Sequence, residues 1–133
     1  MLFPPHDQFI GAKPINNDSM VLRVSFGESS VLREGDAQKN VERRVTALCH
    51  PAANLRVGHH ASENATTPEL VASAQPQFAI ISVGPGNSFG RPRTEVLGRL
   101  AEAGARVYRT DLDGAVTFYL DGHSVTPSVA ALR

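Results

Sequence analysis

The run Phe78-Ala79-Ile80-Ile81-Ser82-Val83 constrains the fold more than any other stretch, because it is almost continuously apolar. A strand of that kind has no wet side and must be covered on both faces. The chain therefore has to build layers around a sheet, and this run is expected as the central strand. On either side of it, strand and helix patterns alternate, as in an α/β layer.

From Met1 to Asp18 the sequence is rich in Pro, Asn and Asp, has no period and reads as a loop. Met20 to Phe26 alternates, with Met20, Leu22, Val24 and Phe26 on one face and Arg23 and Ser25 on the other, so one side of this strand should be wet. Gly27-Glu28 turns the chain into a second arm, Ser29 to Arg33. From Asp36 the period becomes helical, with Val41, Val45 and Leu48 on one stripe. Leu55-Arg56-Val57 is a short strand. Thr66-Thr67-Pro68-Glu69 opens a helix by cap, early proline and acidic first turn, and Gln75-Pro76 ends it. After a loop from Gly84 to Arg93, a helix carrying Val96, Leu97 and Leu100 stops at Gly104, followed by strands at Arg106-Val107-Tyr108 and Ala115 to Leu120.

Two groups of chemistry-bearing residues fall at strand ends. Gly35-Asp36 follows the arm Ser29 to Arg33, and His59-His60 follow the run Asn54 to Val57. Side chains leaving the C-terminal ends of neighbouring strands converge in one crevice, where α/β proteins gather ligands. Each residue also has a blander account. Asp36 suits a helix N-cap, and a His-His pair is often only a satisfied polar pair.

Bulk properties narrow the function classes. The 133 residues fit one domain, numbered 1–133 with 1–18 as its N-terminal loop. Thirteen Lys plus Arg balance thirteen Asp plus Glu, so no global field favours nucleic acid or anionic lipid, and any such binding must be local. The single cysteine, Cys49, leaves no internal disulfide or thiolate cluster. No apolar run approaches a membrane span of about 18–20 residues, and no signal pattern opens the chain, so it is expected to be soluble and, by default, cytoplasmic.

Longer matches add to this reading. Leu55-Arg56-Val57-Gly58-His59-His60-Ala61-Ser62, Ala79 to Gly84 with Asn87 and Phe89-Gly90, and Val107 to Asp111 with Gly114 resemble the C-terminal part of a metallo-β-lactamase-fold domain. Within that fold the chain is similar to the competence DNA-uptake (ComEC-type) proteins. Asn17 to Val24 and Gly35-Asp36-Ala37 match the stretch around that family's metal-bridging aspartate. The resemblance runs in order from about Asn17 to about Gly114.

The resemblance implies half of an αββα sandwich, that is, one mixed sheet with helices on one face and the other face covered by a partner chain, most simply in a homodimer. It also implies a divalent metal, zinc first and manganese second, that activates water to hydrolyse a phosphoester or a nucleic-acid phosphodiester. Carried over by position, Asp36 and His59 are the catalytic metal ligands, His59 being favoured over His60 because it leaves the strand first. A catalytic zinc draws on about three protein ligands. The third is expected from His6, with His60, Asp7 and His123 as alternatives. Ser62, Asn87 and Arg91 are the expected substrate-binding residues.

The sequence departs from the family at several points. Its histidine-rich first metal motif is absent, Ala61 stands where glycine is usual, Glu34 stands where a small hydroxyl residue is common, and Arg91 and Arg93 stand where relatives place histidines. A non-catalytic remnant or interaction module derived from a DNA-uptake protein is therefore the main alternative. A third is a local nucleic-acid binder using Arg23, Arg91 and Arg93.

Overall fold

The computed structural model describes residues 1–3 and 15–130. Five strands form a mixed sheet in the order β1 (Leu22–Phe26), β2 (Ser29–Arg33), β3 (Asn54–Arg56), β4 (Phe78–Ile81) and β5 (Arg106–Arg109). β1 and β2 make an antiparallel hairpin, and the other three pairings are parallel. Each parallel step is bridged by a helix: α1 (Lys39–Thr46), α2 (Pro68–Ala74) and α3 (Thr94–Glu102). This is the expected α/β layer. β4 is paired on both sides but lies fourth of five, so the centre of the sheet is β3 rather than the apolar run itself.

Register places all three helices on one face. Leu32, Leu55, Ala79 and Val107 are cross-strand neighbours, and all except the half-buried Val107 are buried in a core with Val41 and Val45 of α1, Leu70 and Val71 of α2, and Val96 and Leu100 of α3. The helix stripe was expected to include Leu48, but α1 stops at Thr46 and leaves Leu48 in solvent.

The opposite face is covered in part by the chain's own C-terminus. β6 (Val116–Leu120) and β7 (Val125–Val129) form a separate antiparallel hairpin, and Phe118 packs its ring 5.7 Å from both Phe78 and Tyr108. Part of the cover expected from a partner chain is therefore intramolecular. The Gly122 carbonyl accepts from Glu28 N–H, and a Cβ at Gly27 (φ +57) would stand 2.4 Å from that same oxygen. Glycine is required at 27 for both reasons. β7 carries Pro127, which has no N–H for a ladder and hides the strand from a reading by pattern. The helix α4 (Thr110–Asp113) is equally silent in the sequence.

β1 is open on both faces over Val24–Phe26, so its apolar face is not the covered one. Val24 is 53% and Phe26 60% exposed, on a strand that stands at the edge of the sheet. Arg23, on the helix side, donates Nη1 to the His50 carbonyl and Nη2 to the Pro51 carbonyl, and is taken up in holding that loop. Val21 is fully buried and pairs with Phe3, so part of the N-terminal stretch read as loop is tied to the sheet. No helix among the described residues is long and apolar enough to cross a membrane.

Candidate functional site: a cleft at the strand ends

The chain leaving β3 does not simply curl away. His59 (φ 43, ψ 43), His60 (φ 54, ψ 36) and Ala61 (φ 59) make a left-handed turn, a conformation that L-residues with a Cβ adopt at about 1–2 kcal/mol each. Three in a row is rare outside glycine, and such strain persists only where its surroundings hold it. Here the hold is visible. His59 N–H donates to the Gly35 carbonyl, Arg93 N–H donates to the Ala61 carbonyl, and Gly58 N–H donates to Thr66 Oγ1.

The turn sends the two imidazoles different ways. Both ring nitrogens of His59 lie at hydrogen-bond distance from side-chain amides, Nδ1 at 3.2 Å from Gln38 and Nε2 at 3.3 Å from Asn16. A neutral imidazole has one donor and one acceptor, so one amide gives its NH₂ and the other turns its oxygen to the ring. Burial pushes the His59 pKa below its ordinary value, and the charge of Arg91 pushes it the same way. His60 Nδ1 must donate to the Ser82 carbonyl, since a carbonyl only accepts. Its Nε2 stands 3.7 Å from Asp36 Oδ1.

Asp36 is held in place through its backbone. Its N–H donates to Ser19 Oγ, and Gln38 N–H donates to Asn17 Oδ1, so the short turn Asn16–Asp18 and its neighbour brace the start of α1. Asp36 is not the N-cap of that helix, a position Gln38 occupies. Its carboxylate faces the cleft instead.

That cleft has a volume of about 450 Å³ and is lined by Asp36, His59 and His60 on one side and by Val83, Gly84, Asn87, Phe89 and Arg91 on the other. The second wall is tied down at Val83, where Thr110 Oγ1 accepts from the Val83 N–H and donates to the Val83 carbonyl. Asn87 accepts from Arg91 N–H at 3.1 Å and donates to the Arg91 carbonyl at 2.7 Å, closing the loop as a strand partner would. Of the other expected site residues, Ser62 is buried away from the cleft, and His123 stands beside Glu28 at the β6–β7 turn. His6 and Asp7 lie outside the described residues.

Behind the histidine turn lies a buried pair that the sequence did not single out. Glu34 and Glu42 are both fully buried, and Glu42 accepts from Thr66 N–H and Thr67 N–H at the start of α2. Burial, together with the nearby Glu42, pushes the Glu34 carboxyl well above its ordinary value. The only signal was negative, a glutamate where the family resemblance led to the expectation of a small hydroxyl residue. Nothing in one sequence says that it is buried.

A zinc centre needs about three protein donors. Asp36 and His60 supply two, His59 spends its nitrogens on amides, and among the described residues no group of three or more His, Cys, Asp or Glu could hold a metal ion. The described donor set does not fit a metal.

No protein-family model matches the chain. It is 37% identical over 105 residues to ComE operon protein 3 of Bacillus subtilis, covering 77% of this chain and 14% of that protein. It is 32% identical over 115 residues to Recombination protein 2 of Haemophilus influenzae, covering 86% and 14%. It is 31% identical over 108 residues to Competence protein ComA of Neisseria gonorrhoeae, covering 79% and 16%. The chain thus spans about one seventh of the length of these curated relatives. Over that stretch, which takes in the cleft and the turns that build it, the chain is a homologue of bacterial competence and recombination proteins.

Proposed function

We propose that this chain is a nucleic-acid-binding module of the competence DNA-uptake apparatus and performs no chemistry on the strand it holds. Arg91 carries this reading. Its guanidinium is a fixed cation on the wall of the same cleft as His59, Asp36 and His60. Arg91 repels a second cation and attracts a phosphate, which it can fork by two N–H groups, while Asp36 across the cleft acts in the opposite sense. The competence and recombination proteins that match the chain support a nucleic acid as the anion, and descent from a metallo-β-lactamase-fold ancestor is part of the same proposal.

The test is titration of a labelled single-stranded oligonucleotide in the presence of EDTA over a range of salt. Each phosphate neutralised gives a slope of about 0.7 in log K against log salt. Arg91→Ala is expected to weaken binding and to lower the slope by about one such step. No binding by the intact protein at low salt would end this reading.

One observation favours a second reading, that of a metal-dependent phosphodiesterase. An Nδ1–H donated to a backbone carbonyl is the second-shell bond that orients ligating histidines, and it leaves Nε2 of His60 beside Asp36. This reading needs a further donor from outside the described residues, for which His6 is the candidate, and zinc or manganese as the metal. Elemental analysis of purified protein decides it: a stoichiometric metal lost in both Asp36→Ala and His6→Ala supports it, and metal-free protein dismisses it.

A further inference from the structure

We infer that Phe89 is a stacking platform for one unpaired nucleobase, placed so that the neighbouring phosphate meets Arg91. This rests on the nucleic-acid reading and adds what part of the strand the cleft recognises. Single exposed hydrophobic residues are common on protein surfaces and need no explanation. Three features separate Phe89 from them.

First, its ring lines the cleft while remaining 70% exposed, more than any other large hydrophobic side chain among the described residues. Second, the Arg91 guanidinium lies over one face of the ring, 5.4 Å from its centroid, while the residue as a whole stays open to solvent. An aromatic with one face braced and one face open is the arrangement that takes a base, and the guanidinium beside it is within reach of the backbone phosphate. Third, the loop is built before any ligand arrives. The Asn87 side chain bonds the Arg91 backbone in both directions and also donates to the Gly84 carbonyl, so the ring sits at the tip of a closed, braced loop. Preorganisation of this kind lowers the entropy cost of binding.

Stacking needs a bare base face, which a duplex does not offer. The expected ligand is therefore single-stranded. Because every base has a π-face, little sequence preference is expected.

The test compares a labelled oligothymidylate, an abasic deoxyribose-phosphate strand of the same length and a duplex, all with EDTA. The intact protein is expected to bind the thymidine strand about tenfold more tightly than the abasic one and more tightly than the duplex. Phe89→Ala should erase the preference for bases while leaving abasic binding in place. The chain contains no tryptophan, so Phe89→Trp provides a single reporter, expected to keep the preference and to be quenched by oligothymidylate but not by the abasic strand. Equal binding of thymidine and abasic strands by the intact protein overturns the inference and leaves the nucleic-acid reading standing. Binding of neither strand overturns both.

Discussion

His60 Nε2 faces Asp36 Oδ1 at 3.7 Å, while its immediate neighbour His59 faces two amides. Adjacent residues of a helical turn do not share a direction. The left-handed turn therefore splits a pair that looks uniform in the sequence, and it gives to His60 the position beside Asp36 that strand order alone suggested for His59.

In that cleft the Asp36 carboxylate repels a phosphate. Removing its charge in Asp36→Asn is expected to tighten oligonucleotide binding about twofold in EDTA, the size of one unit charge acting through a water-like dielectric over about 10 Å. Fluorescence anisotropy would read it. Weaker binding in that variant would mean that Asp36 helps to hold the ligand and would contradict the repulsion.

Glu34 makes stability depend on pH. Its carboxyl, raised by burial and then by Glu42, keeps in the folded state a proton that the unfolded chain releases. The stability it contributes is full below the ordinary carboxylate range and is lost as pH rises through the higher folded value. Glu34→Gln, which has no proton to lose, should flatten this dependence. Urea midpoints should match for the two proteins in acid and favour the variant at neutral and alkaline pH; parallel curves would contradict it.

Gly58 has no room for a side chain. A Cβ there would lie 2.4 Å from Glu34 Oε2 and 3.3 Å from the Ala37 carbonyl, both in fixed, buried surroundings. Gly58→Ala is expected to cost about 1–3 kcal/mol, the usual range for overpacking. Chemical denaturation measures this directly, and a cost below about 0.5 kcal/mol would show that the Glu34 side chain can move.

Ala61 carries a left-handed φ of 59. Ala61→Gly relieves about 1–2 kcal/mol of backbone strain and gives back part of it as greater freedom of the unfolded chain. A net gain of up to about 1 kcal/mol is expected in the same denaturation experiment. Destabilisation would mean that the buried methyl group contributes more than the strain costs.

Much of the layer was legible in the chain. The Thr67 cap with Pro68, the stop at Gln75 and the end at Gly104 are local chemistry, and the helix α2 runs from Pro68 to Ala74 as that chemistry requires. The hairpin β1–β2 and the parallel strands likewise follow from short-range pattern. β7 escaped because Pro127 breaks its pattern, and the exposure of Val24 and Phe26 escaped because alternation says which residues share a face but not which face is covered.

The site divides the same way. Asp36, His59 and His60 were identifiable by type and position, because they follow strands whose ends must meet, whereas Asn87 and Arg91 came only through the family resemblance. Which histidine faces Asp36, that Glu34 and Glu42 are buried side by side, and that Phe89 stands open beneath Arg91 depend on contacts between segments tens of residues apart. Local sequence fixes backbone preference and periodicity; the direction a side chain takes, and the charges it meets there, are set only when the turns from β2, β3 and β4 close on one another.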